Sequence, residues 1–158
     1  MEVEVRLLGP DDLDLLLEAD PDVFDRPCRR DRAEAFLADP RHHIAGAIEA
    51  GRLVAMASAI DYLLPDKPPE LFIAEVGVAA RLHRRGIGLR LVRLMVEHGR
   101  ALGCATAWIA TELDNAPARA LYRTAGGVPD AQPAEIFTFD LERGPADAAG
   151  PRSFSPLS

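Results

Sequence analysis

The first chemistry this sequence offers is an anion site. His83-Arg84-Arg85-Gly86-Ile87-Gly88 follows an apolar run ending at Val78 and leads into a stretch where Ile87, Leu91, Leu94, Met95, His98 and Leu102 fall three or four apart. That spacing places them on one helix face. A strand, a glycine turn and a helix in this order aim the helix's free N–H groups at whatever lies over the turn, an arrangement suited to phosphate. A Cβ at 86 or 88 would hold a phosphate away from the backbone. Arg84 and Arg85 add positive charge. The same pattern also serves ordinary strand-to-helix turns, so both readings stand at this point. Two narrower ones are excluded: Leu91 occupies the third small position of a dinucleotide fingerprint, and no Gly-Lys-Ser/Thr follows.

Glu75 is the second candidate. It interrupts the otherwise apolar segment Leu71 to Val78, at the strand end nearest the glycine turn. A carboxylate there is either a general base or the partner of an arginine in the sheet.

These residues need a scaffold, and the patterning supplies one. Val3, Val5 and Leu7 alternate with charged residues as a first strand ending at Gly9,. Pro10 with Asp11 and Asp12 opens a helix carrying Leu13, Leu16 and Leu17, stopped by Pro21,. Arg29 to about Ala38 is a second helix, with Ala33, Phe36 and Leu37 inward and Pro40 closing it,. Ile44 to Glu49 and Leu53 to Ile60 form a hairpin about Ala50-Gly51-Arg52,. Pro65, Pro68 and Pro69 make 61–70 a loop,. After the central helix, Gly103 sits where a left-handed turn ends it. Thr106 to Thr111 reads as a strand, Asn115 to Tyr122 as a short helix closed by Gly126-Gly127, and Glu135 to Leu141 as a last strand,. The order β, α, α, three strands, α, β, α, β predicts an α/β (α+β) domain over 1–143, a mixed sheet with helices on its faces. The segment 144–158, rich in Gly, Ala, Pro and Ser, is expected to be disordered,.

Composition narrows the function classes. The chain has 158 residues, 48% of them hydrophobic, enough for one domain with one core,. A net charge of -7, from 25 acidic and 18 basic residues, argues against nucleic acid and for a cationic partner,. No apolar run approaches the length of a membrane span, and the strand-like start lacks the features of a signal peptide, so a cytoplasmic protein is expected. Cys28 and Cys104 read as free thiols. His42 and His43, being adjacent, cannot face one way, while His83 and His98 stand apart, so no metal site is expected,.

Two segments carry a family resemblance. LHRRGIGLRLV is similar to the acetyl-coenzyme-A pyrophosphate loop, Q/R-x-x-G-x-G/A, of the Gcn5-related N-acetyltransferase superfamily, and NAPARALYRTAGG, 115–127, is similar to its N-x-x-A-x-x-L-Y-x-x-x-G segment. His83 stands at the usual Gln/Arg position and Gly127 replaces an aromatic. The resemblance runs from about Val3 to Glu142 and implies that superfamily's fold, a mostly antiparallel sheet with helices on both faces. Within it the chain most resembles the type I aminoglycoside 3-N-acetyltransferases, through RLLGPDDL, Tyr62-Leu63-Leu64-Pro65, Glu70 five residues before Glu75, the run ending at Tyr122, and Phe139-Asp140-Leu141. That group usually has Tyr-Asp where this chain has Ala74-Glu75.

The resemblance implies acetyl transfer from acetyl-coenzyme A to an amine, without a metal. A substrate ammonium, near pKa 10.4 for an alkylamine, must lose its proton, and Glu75 is the candidate base. Tyr122 is the candidate acid for the leaving thiolate, its alternative being a ring packed on the central helix. Cofactor contacts fall to Val76, Val78, His83, Arg84, Arg85, Gly86, Ile87, Gly88, Asn115 and Tyr122, with strand-end N–H groups polarising the thioester carbonyl. Glu70, Glu75, Glu112, Asp114 and Asp140 would surround a polycationic substrate such as an aminoglycoside. A homodimer is also suggested. Two other functions remain open: acetylation of a protein N-terminus, lysine or small polyamine, and a non-catalytic acyl-coenzyme-A sensor.

Overall fold

The computed structural model describes residues 2–143; the expected disordered tail lies outside them. One five-stranded sheet runs in the order β1 (Glu4–Leu7), β2 (His42–Glu49), β3 (Arg52–Tyr62), β4 (Glu70–Val78), β5 (Thr106–Trp108). The first four strands are antiparallel and β4 pairs with β5 in parallel. Helices α1 (Leu13–Leu17) and α2 (Arg30–Ala38) cover one face; α3 (Ile87–Ala101) crosses the other, with α4 (Ala116–Thr124) beside it. This is the mixed, mostly antiparallel architecture expected from the sequence.

Local chemistry explains the elements. Ala50 and Gly51, at φ 50° and 79°, form the tight left-handed turn that joins β2 to β3,. The first helix is shorter than Pro21 would allow. Asp12, just before its start, accepts from the Gly9 N–H at 2.8 Å and from Arg6 at 2.7 and 3.0 Å, which ties the entry to the end of β1 rather than capping the helix. The chain then leaves the helix because its next acidic residues are held elsewhere: the Asp20 N–H donates to Leu53 O at 3.0 Å, and Asp22 accepts from the Ala80 N–H at 2.6 Å. Helix α3 buries Ile87, Leu91 and Met95 against the sheet. It ends as Gly103 predicts, with Gly103 N–H donating to Arg100 O and Cys104 N–H to Gly99 O, both at 3.0 Å,.

Two strand expectations fail. The strand expected over 106–111 stops at Trp108, and Glu135 to Leu141 forms no strand at all. Phe137, Phe139 and Leu141 are exposed there. Beyond Phe72, β4 has no pairing with β5, so β5 is supported along three residues only. Alternation makes a segment fit for a sheet, but a ladder also needs a neighbour.

Candidate active site

The glycine loop has the backbone an anion needs. Arg84 and Gly86 are both left-handed, at φ 64° and 73°, and open space surrounds the position where a Cβ at 86 would sit. No backbone acceptor takes up the N–H groups of Arg84 to Gly88 among the described residues. Gly86 is thus needed for its φ. Gly88 also serves packing: a Cβ there would meet Leu121 Cδ1 at 3.0 Å, so the glycine lets α4 lie close to α3. Arg85 is not wholly free to face an anion, since Glu49 lies 4.0 Å away. His83 turns back to the strand, its Nε2 lying 2.9 Å from Val78 O; with a carbonyl as acceptor, that nitrogen carries the proton.

Beside this loop, β4 presents an open edge. The Ala79 N–H donates to Val54 O at 2.8 Å, toward β3. Alternation along an antiparallel ladder turns the Val76 and Val78 N–H groups the other way, into the gap where β5 has diverged,. The side chains of these valines lie on the α3 face, Val78 Cγ2 being 3.7 Å from a Cβ built at Gly88.

An irregularity in β4 decides where Glu75 points. Ser58 pairs with Glu75 but Ala59 pairs with Ile73, leaving Ala74 as an extra residue. In a regular strand residues 70 and 75 would project to opposite faces. The bulge reverses the alternation after Ile73. Leu71 faces α3, within 3.0 Å of a Cβ at Gly99, whereas Gly77 faces the loop between α1 and α2, where a Cβ would strike Val23 O at 2.1 Å. Glu70, Phe72 and Glu75 therefore share the face opposite α3.

On that face Glu75 is accessible yet crowded. Partial burial pushes its carboxyl above the usual glutamate range, and the negative charge of Asp25 pushes the same way. Neither is compensated by an ion pair on Glu75 among the described residues, so the arginine-paired alternative does not hold. Cys28 lies near enough to feel Glu75; its thiol is raised by burial and then by that charge. The sequence reading passes over Asp25. The cluster Asp20, Asp22, Asp25 in the α1–α2 connection was the available signal.

Tyr122 lies on α4, partly buried against the core. Burial, then the charge of Glu112, pushes its phenol up to about 12. The near match to a thiol expected from ordinary values is thus widened, because a thiol titrates near 8.5. With its pKa pushed that high, the phenol stays protonated near neutrality. Asn115 sits seven residues earlier, two turns along the helix,. Its Oδ1 accepts from the Ala118 N–H at 3.2 Å, so this side chain fixes the start of α4,.

The remaining carboxylates are divided. Glu112 acts on Tyr122, and exposed Asp114 lies in the turn leading into α4. Asp140 pairs with Arg143 at 3.6 Å in the segment that forms no strand. Glu70 Oε2 accepts from the Tyr62 phenol at 2.5 Å. His98, expected to stand apart, contacts His43, with Nε2 2.9 Å from His43 Nδ1. His42 and His43 do face opposite ways, His42 toward Phe36 of α2.

Residues 12–126 match the sequence model of the acetyltransferase (GNAT) family. The chain belongs to that family. It is an acetyl-coenzyme-A-dependent N-acetyltransferase. Over 110 residues it is 34% identical to the N-alpha-acetyltransferase RimI of Mycobacterium tuberculosis (strain ATCC 25618 / H37Rv), covering 70% of this chain and 67% of that one. Among solved structures it resembles the aminoglycoside acetyltransferase HMB0005 from an uncultured soil metagenomic sample, at 25% identity and TM-score 0.71, covering 89% of this chain and 98% of that one. The fold is also shared with AAC(6')-Iy in complex with the bisubstrate analogue CoA-S-monomethyl-acetylneamine, at 14% identity and TM-score 0.73, covering 89% and 99%. The open N–H groups at 84–88 and the left-handed Gly86 suit the diphosphate of the co-substrate in this acetyltransferase,.

Proposed function

We propose that this enzyme acetylates an amine of an aminoglycoside, the 3-amino group, with Glu75 as base and Tyr122 as proton donor. Acetyl-coenzyme A supplies an acyl group activated as a thioester. Glu75 takes a proton from the acceptor's ammonium, and the freed nitrogen lone pair forms the new C–N bond as the C–S bond breaks. The second proton that the nitrogen then sheds balances the one Tyr122 gives to sulfur. Val76 and Val78 N–H groups donate toward the thioester carbonyl, and Tyr122 donates toward the departing sulfur. The amides of residues 84–88, flanked by His83, Arg84 and Arg85, hold the diphosphate, while Asn115 positions α4. Glu70, Glu75, Glu112, Asp114 and Asp140 attract the substrate's other ammonium groups.

The observation that carries this reading is the β4 bulge, which turns Glu75 to the face of Glu70, with Asp25 near Glu75. Carboxylates on one sheet face, without ion pairs among the described residues, suit an acceptor with several cationic groups. Incubating the enzyme with acetyl-coenzyme A and gentamicin tests it: a mass gain of one acetyl group is expected. No turnover on any 2-deoxystreptamine drug, with coenzyme A binding intact, rejects the substrate class.

The similarity to RimI favours a second reading, acetylation of a protein N-terminus. Peptides with free N-termini assayed beside the drugs separate the two, the preferred acceptor being the one with the higher kcat/KM.

A further inference from the structure

On the face shared by Glu70 and Glu75 lies an aromatic cluster that the chemistry above does not use. Phe72 and Trp108, register partners across β4 and β5, stack with ring centroids 4.3 Å apart. Trp108 Nε1 donates to the Tyr62 hydroxyl at 2.8 Å, and that hydroxyl donates to Glu70 Oε2 at 2.5 Å. The indole is therefore fixed in plane and tilt, yet it is 44% exposed. Glu70 has no cationic partner among the described residues. A part-exposed indole, stacked on Phe72 and linked through Tyr62 to a carboxylate that has no ion pair among those residues, has the chemistry of an ammonium site: the ring quadrupole attracts the cation and the carboxylate neutralises it,.

We propose that Trp108, with Glu70, forms a second subsite that holds an ammonium group of the acceptor remote from the one being acetylated. Tyr62 and Phe72 position this pair. The proposal rests on the polycationic-acceptor reading and makes it specific in length. Glu75 lies five positions after Glu70, one of them taken up by the bulge, which at about 3.3 Å per residue sets the subsite roughly 13–17 Å from Glu75. Acceptors with two ammonium groups on a span of that order engage both; a single-ammonium acceptor engages one.

Trp108 is the only tryptophan in the sequence, so its emission reports on the subsite directly. The full-length protein is titrated with gentamicin and with glucosamine at constant ionic strength. Gentamicin is expected to change the emission saturably; glucosamine is expected to need at least tenfold higher concentration. Glu70→Gln should weaken the gentamicin response about tenfold while its thermal midpoint and coenzyme A affinity stay unchanged. An emission unaffected by gentamicin into the millimolar range, or an equal response in Glu70→Gln, overturns the subsite. Acetylation is read separately. If gentamicin is acetylated with the same KM by wild type, Glu70→Gln and Trp108→Leu, the subsite fails and the substrate reading stands. If the emission responds but no drug is acetylated, the substrate reading fails and the subsite stands.

Discussion

At Glu75, two causes raise the carboxyl pKa: burial first, then Asp25. A base works only when unprotonated, so the rate should climb with pH through an inflection above the ordinary value of 4.5,. Asp25→Asn removes the smaller cause and should move that inflection to lower pH; Glu75→Gln should abolish it and lower kcat by about 100-fold or more. A pH–rate profile on each variant checks both, and an inflection unmoved in Asp25→Asn would separate the two carboxylates. Tyr122, pushed up to about 12, differs in kind. Its proton is held too tightly for free release near neutrality, so the proposed role is donation to the sulfur only as negative charge develops there. Tyr122→Phe should lower kcat with little change in the KM for acetyl-coenzyme A. A sensor without catalysis would bind coenzyme A equally well in both forms and acetylate nothing.

The decisive element is β4, whose bulge and approach to the α1–α2 connection act together. Gly77 lets that connection lie close, because a Cβ there would stand 2.1 Å from the Val23 carbonyl oxygen. Backbone cannot yield as a side-chain tip can. Gly77→Ala should therefore cost about 2 kcal/mol, read as a lower denaturant midpoint. It should also displace Asp25 and so lower the acid inflection that Glu75 sets. If stability falls and the inflection stays, the connection is held in place by its polar contacts, Asp20 with Arg52 at 3.3 Å and Arg81 at 3.1 Å and Asp22 with the Ala80 N–H at 2.6 Å.

Across the whole molecule, the far end of α3 carries a histidine pair that ties the helix to the sheet. His98 meets His43, which in turn lies 2.6 Å from Asp61, itself paired with Arg41 at 3.0 Å; Cys104 adjoins this group. Burial, then His43, lowers the His98 pKa below 6.5, against a smaller opposing effect of Asp61. Between its folded value and 6.5 the unfolded chain binds more protons than the folded one, so stability rises with pH through that window and is lost on acidification. Thermal midpoints of wild type should fall as pH drops from 7 through about 6. His98→Gln should flatten that part of the curve, the difference between the two proteins cancelling the titrating groups that His98 does not touch.

The sequence by itself determined the order of elements as far as α4, the left-handed end of α3 at Gly103, and the turn with its open N–H groups, because each depends on neighbours within a few positions. Glycine at 86 and 103, the helical spacing from Ile87 onward and Asn115 before an apolar helix are local statements, and local physics honours them. Only the tertiary structure decided which face Glu75 shares with Glu70, since one extra residue at Ala74 reverses every later side chain. The same holds for Gly88, whose packing role comes from Leu121, for Asp25, which reaches Glu75 across a loop, and for His98 against His43. The alternating segment 135–141 gives the converse: its pattern is fit for a strand, but a ladder requires an adjacent edge, and sequence alone does not say whether one is there.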